Sequence, residues 1–149
     1  MRTHNGFTLI ELMIVLVLAL ILSAAAYPAY TEFAVRARRM EGQAALQLLM
    51  QQQERYYSSH GSYIAFDADA KDDDARAFNW WSGASAASSG YELEGKACDG
   101  ETLRNCVQLM AKPGTERVDR TFHDKACETL ILTSTGLRLA TGPSLKCWR

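Results

Sequence analysis

Gly6-Phe7-Thr8-Leu9-Ile10-Glu11-Leu12-Met13-Ile14-Val15 opens an apolar stretch that runs to Ala26, interrupted only by Thr8, Glu11 and Ser23. As a helix rising about 1.5 Å per residue, Phe7 to Ala26 is roughly 30 Å long, the thickness of a bilayer's hydrocarbon core. A secretory signal would place a positive region and a shorter apolar core ahead of a small-residue cleavage site. Here the apolar run begins at residue 7, and Ala24-Ala25-Ala26 is a poor match to such an exit. Residues 7–27 therefore read as a transmembrane helix. Arg2 and His4 ahead of it favour a cytoplasmic N-terminus and a C-terminal body on the other side.

Glu11 breaks that run. An ionisable side chain at membrane depth costs roughly 2.5–3.5 kcal/mol on insertion scales, so it is expected to have a partner and a task. A carboxylate this near a free terminal amine can neutralise the N-terminal charge of a neighbouring chain and set the register of helix packing, the best-attested use of a buried charge pair. The stretch Gly6 to Leu12 resembles the class III leader of type IV pilins. That resemblance implies removal of residues 1–6 by a prepilin peptidase cutting between Gly6 and Phe7, N-methylation of Phe7, and an assembly role for Glu11.

Beyond the apolar run, Pro28 lacks a backbone donor and is expected to kink or interrupt a helix. A helical pattern resumes with Tyr30, Phe33, Ala37, Met40, Ala44, Leu48 and Tyr56 at spacings of three and four. This stripe predicts a helix over 28–60 whose apolar side is covered by a sheet. Arg36, Arg38 and Arg39 form the densest basic cluster, read as a solvated or headgroup-facing collar pairing with Glu32 and Glu41, or as an intersubunit contact.

Residues 61–90 lose periodicity and read as a variable loop containing Asp67, Asp69, Asp72, Asp73 and Asp74. Their spacing lacks the glycine and distal glutamate of a calcium loop, and Lys71 stands where a ligand would be wanted, so a solvated loop is expected and no metal. Of Trp80 and Trp81, one ring is expected in the core. Over 91–149, alternation at Tyr91 to Ala97, at Val107, Leu109 and Ala111, and at Leu130 to Thr133 and Leu137 to Leu139 predicts four short strands in two hairpins. The fold class is α+β, a long N-terminal helix on a four-stranded antiparallel sheet.

The four cysteines, Cys98, Cys106, Cys127 and Cys147, lie in the part expected outside the cytoplasm, which favours disulfides. No Cys-x-x-Cys is present, which argues against zinc and thioredoxin-like chemistry. Of three possible pairings, Cys98–Cys106 with Cys127–Cys147 is the local solution, and the second resembles the C-terminal disulfide loop of type IV pilins.

Further residues extend the resemblance: Tyr27-Pro28-Ala29-Tyr30, the stretch 37–46, Glu54-Arg55-Tyr56-Tyr57, Gly61-x-Tyr63, and an ending with Thr135-Gly136 and Cys147-Trp148 look like the PilE-like minor pilins. This implies a subunit that enters the bacterial inner membrane with its head (28–149) in the periplasm. It then joins an extracellular filament of other pilins through an inner-membrane assembly platform, serving adhesion, twitching motility or DNA uptake. A pseudopilin of the type II secretion system shares the leader, but that group is generally poor in disulfides.

At 149 residues, with sixteen basic and seventeen acidic residues and a net charge of −1, the chain has room for one small head and no marked electrostatic bias. The three histidines stand in no His-Glu-x-x-His or nucleophile-elbow context, so no enzyme activity and no cofactor are expected. A DNA receptor for natural transformation is the alternative function. From Tyr91 onward Lys96, Arg104, Lys112, Arg117, Arg120, Lys125, Arg138, Lys146 and Arg149 barely exceed the acidic residues. The fold could still gather Arg117, Arg120, Lys125, Lys146 and Arg149 on one edge.

Overall fold

The computed structural model describes residues 7–148, with the side chains at 25, 26, 28 and 29 also outside the described set. Gly6, Arg149 and the ring of Pro28 therefore lie outside the described residues. The chain divides into two units, residues 1–36 and 37–149, and a single helix, α1 (Leu9–His60), contributes to both. The helix is assigned without interruption through position 28.

In the first unit the apolar side chains are bare, Leu9 being 77% and Leu20 70% exposed. Helical residues with described side chains in this apolar run cover 9–24. Among the described residues no helix is long and apolar enough to cross a membrane.

The second unit has its own core. Four strands, β1 (Tyr91–Ala97), β2 (Val107–Pro113), β3 (Leu130–Thr133) and β4 (Arg138–Ala140), pair antiparallel in sequence order. The alternation read from the sequence holds on β1 and β3, where Tyr91, Leu93, Leu130 and Leu132 are buried. β2 is instead buried on both faces, Gln108 and Met110 as well as Val107, Leu109 and Ala111. At the fourth strand Leu137 and Leu139 are exposed, so that strand adds little to the core. The sheet's partners on α1 differ from the stripe expected above. Met40 and Leu48 are 67% and 57% exposed, and Tyr30 and Phe33 are exposed as well, whereas Leu46, Leu49 and Gln53 are buried.

The physical reason is that the helix carries more apolar faces than the sheet can cover. The sheet takes the face containing Gly42, where a Cβ would stand 2.9 Å from the Tyr91 ring. Only a bare Cα lets the helix approach the sheet that closely. The same face carries Gln53, which donates to the Ile64 carbonyl at 2.8 Å and accepts from its amide at 3.1 Å. A polar residue with both its groups satisfied can be buried at little cost, so apolarity alone mislocated the core.

Segment 61–90 is more ordered than a solvated loop. Phe66 bridges to Gly95 and Trp81 to Glu92, blunting the free edge of β1. Asp72 caps a one-turn helix, α2 (Asp73–Arg76), by accepting from the amides of Asp74 and Ala75, and Asp67 accepts from the Asp69 amide. Neither tryptophan is buried: Trp80 and Trp81 are both half-exposed and meet edge-on at 5.0 Å. Phe66 and Phe78, stacked at 5.2 Å and buried, anchor the segment in their place.

Gly42→Val would force a branched side chain against the Tyr91 ring. It should destabilise the head by about 1–3 kcal/mol, measured by urea unfolding.

Candidate functional site

Two regions carry chemistry, one at the start of α1 and one in the head. Thr8 immediately precedes α1, and its Oγ1 accepts from the Glu11 amide at 3.3 Å. In return Oε2 of Glu11 accepts from the Thr8 amide at 3.3 Å and from the Thr8 hydroxyl at 3.1 Å. This reciprocal arrangement is a capping box. The signal was present in the sequence as Thr-x-x-Glu ahead of an apolar run, and the assembly reading of Glu11 passed over it. Phe7, at the expected cleavage point, is 89% exposed.

In the head, α1 clamps the segment 114–129 that connects β2 to β3. Arg39 donates to both carboxylate oxygens of Asp124 at 2.7 Å, with the Asp124 side chain fully buried and that of Arg39 13% exposed. Tyr91 donates its hydroxyl to Asp124 at 2.7 Å and the Cys127 amide donates at 3.2 Å. Burial would raise the Asp124 carboxyl, but the hydrogen bonds from Arg39 and Tyr91 outweigh it and hold the group below its ordinary value. Burial also pushes the Tyr91 hydroxyl strongly up, and the adjacent Asp124 adds to the shift.

One residue earlier on α1, Arg38 donates to Asp119 at 2.6 Å and lies 5.4 Å from the centre of the Phe122 ring. The Thr121 hydroxyl, then Arg38, then the Thr121 amide lower the Asp119 carboxyl to about 2. The basic cluster is thus not a uniform collar. Arg36 pairs with Glu32 as expected, while Arg38 and Arg39 reach across to Asp119 and Asp124 because the core-facing side of α1 passes beneath that segment.

Both disulfides form as the local solution, Cys98–Cys106 and Cys127–Cys147, with Cα separations of 5.4 and 5.6 Å. Gln43 on α1 donates to the Cys147 carbonyl, and the Ser144 amide donates to the Ala126 carbonyl at 2.9 Å. These bonds run the 125–127 and 144–147 stretches side by side, so Lys125 and Lys146 occupy neighbouring backbone. Both are exposed, as is Arg120, and among the described residues none of the three has a carboxylate partner. Arg117 differs: it donates to both oxygens of Asp69 and lies 3.7 Å from Glu92. Of the five basic residues considered above, three therefore remain uncompensated, Arg117 is engaged, and Arg149 lies outside the described residues.

A long helix, a four-stranded antiparallel meander and a C-terminal disulfide loop, behind an N-terminal stretch matching the prokaryotic methylation motif over residues 1–27, define a type IV pilin. The chain belongs to the family described as "Type IV minor pilin ComP, DNA uptake sequence receptor", whose pattern it matches over residues 28–131. Among solved structures it resembles the non-core minor pilin PilV of Neisseria meningitidis at 18% identity, covering 77% of this chain and 94% of that one with a TM-score of 0.50. It also matches a type IV pilin from Shewanella oneidensis at 26% identity, over 77% of this chain and 98% of that one, with a TM-score of 0.47. The protein is a minor type IV pilin.

Asp124→Ala would strand Arg39 in the core, and head stability should fall by about 3–5 kcal/mol, read from urea unfolding. Asp119 and Asp124 both have depressed carboxyls, so the stability they contribute is present above the ordinary carboxylate value. For Asp119 it is lost as pH falls from about 4 towards 2, and for Asp124 as pH falls through its own lowered value. The urea midpoint of the head should drop across that window, and Asp119→Asn should flatten the drop.

Proposed function

We propose that this minor pilin is a DNA-binding subunit of the filament, making non-specific phosphate contacts through Arg120, Lys125 and Lys146. The observation that carries this reading is that these three cations are exposed and uncompensated on or beside the segment clamped by Arg38 and Arg39. The family's description as a receptor for DNA uptake sequences supports it. Phosphate neutralisation needs free cations on a rigid support, because ordering them at binding would cost affinity. The bonds between 126 and 144 and the disulfide at 127 and 147 supply that rigidity for Lys125 and Lys146.

The same proposal includes the route by which such a subunit reaches the filament. A prepilin peptidase cuts between Gly6 and Phe7 and the new terminus is N-methylated, a step supported by the methylation motif over 1–27. The processed chain resides in the inner membrane through residues 7–27 with its N-terminus cytoplasmic, and the assembly platform then moves it into the filament. There Glu11 pairs with the terminal amine of a neighbouring pilin, the register function expected of a carboxylate in an apolar helix. Pro28 provides a kink in this helix.

A gel-shift titration with the head from Thr31 onward tests the DNA contact. Three phosphate contacts should give a log–log salt dependence of slope about −3, with Lys125→Ala and Lys146→Ala each weakening binding on every duplex sequence alike. Absence of any salt-sensitive shift would remove DNA binding from the function. Intact mass of the protein in sheared filaments tests the route, the expected species beginning at N-methylated Phe7. A filament species retaining Met1 to Gly6 would be incompatible with it.

A further inference from the structure

Leu145 is the most exposed large apolar side chain of the head, yet the stretch that carries it is braced on every side. The Ser144 amide donates to the Ala126 carbonyl at 2.9 Å and the Gly142 amide to the Cys127 carbonyl at 3.0 Å. The Lys146 amide donates to the Ser144 hydroxyl at 3.2 Å, and the disulfide between Cys127 and Cys147 closes the stretch just beyond. Leu145 therefore stands beside Lys146 along the chain and, across the bond from Ser144 to Ala126, beside the backbone that carries Lys125. Both lysines are exposed and, among the described residues, neither has a carboxylate partner. Trp148 does not compete for the part of exposed apolar group, because its indole N–H is spent on the Leu139 carbonyl at 2.7 Å and its ring lies 5.9 Å from the Arg138 guanidinium.

A lone apolar residue on a surface is ordinary. What distinguishes Leu145 is that it is held rigidly between two free cations, a combination that fits a partner with anionic flanks and an apolar interior. Duplex DNA has both: phosphates line its grooves and stacked bases lie between them. The minor groove is about 6 Å wide, narrow enough for lysines on either side of one leucine to reach phosphates of opposite strands. Apolar side chains, leucine among them, enter base steps from this groove, part the stack and kink the duplex. We propose that Leu145 is a wedge that enters the minor groove of duplex DNA while Lys125 and Lys146 hold the phosphates beside it. This rests on the DNA-contact reading above. It adds a form of ligand, double-stranded and bent, and a source of sequence preference that needs no hydrogen bond to a base. Parting a stack costs least at flexible pyrimidine–purine steps and most in stiff A-tracts. An anionic lipid surface also suits a leucine between lysines, but one such side chain buries too little to hold a membrane.

The test uses the full-length protein in phosphatidylcholine nanodiscs. The probes are duplexes of about 25 base pairs with a fluorescence donor and acceptor at their ends and aminopurine at a central TG/CA step, or an A-tract in place of that step. Binding is expected to raise both energy transfer and aminopurine emission on the TG/CA duplex and to favour it over the A-tract roughly ten-fold. Leu145→Ala should abolish both signals and the preference while leaving the slope of affinity against salt unchanged, because no phosphate contact is lost. Leu145→Met keeps an apolar wedge and should retain all three. If the wild type binds both duplexes in a salt-dependent way but bends neither, or if Leu145→Ala bends DNA as the wild type does, the wedge falls and the phosphate contacts stand. Tighter binding to the single strand than to the duplex would also overturn it, since a wedge needs a stack to enter. Capture of labelled phosphatidylglycerol nanodiscs that depends on Leu145, without bending of DNA, would assign the residue to a lipid surface instead. Absence of any salt-sensitive binding would remove the DNA-contact reading itself, and the wedge with it.

Discussion

The head is organised around the carboxylate of Asp124, buried completely and held by Arg39, Tyr91 and the Cys127 amide. Those three donors come from α1, from β1 and from the chain just before β3, so one side chain ties together every layer that must meet in the core. A buried carboxylate left short of donors would cost more than its attraction returns, and this one has a bidentate guanidinium and two further bonds. The geometry of the connection between β2 and β3 follows from it. Val118 and Phe122 plug the core from the same segment, and Gly114 turns the chain at φ +61°, where a Cβ would strike the Phe122 carbonyl.

What the clamp leaves on the outside matters for function. Arg38, Arg39, Lys112 and Arg117 all have carboxylate partners within the head, at Asp119, Asp124, Glu94 and Asp69. Internal pairing of this kind stiffens a surface while withdrawing its charge from outside partners. Among the described residues Lys125 and Lys146, on stretches joined by the C-terminal disulfide, have no carboxylate partner, a local basic pair that the overall net charge of −1 hides. The same economy operates in the acidic run: Asp67 and Asp72 accept from backbone amides and Asp69 holds Arg117, so their carboxylates serve the fold.

At the start of α1 the amides of Thr8 and Glu11 are each accepted by the other residue's side chain. The first N–H groups of a helix have no partner within it and need acceptors from outside the helical ladder. Residues one turn apart supply the need locally.

The sequence by itself determined the α+β class, the end of the long helix near residue 60, the four strands and the inward faces of β1 and β3, and it narrowed four cysteines to three pairings of which the local one is observed. Each of these is set by short-range periodicity or spacing, which survives in one dimension. Only the tertiary structure decided which face of α1 is core, because the helix is apolar on several sides and the choice fell to Gly42, which admits the Tyr91 ring, and to Gln53, which finds both its partners on Ile64. It also decided which cations are free. Arg39 and Asp124, like Arg117 and Asp69, stand far apart along the chain, and a charge that is neutralised through space leaves no trace in the order of residues. Neither tryptophan entered the core for the same reason: Phe66 and Phe78 filled the space first, and occupancy of a volume is settled by all the side chains around it at once.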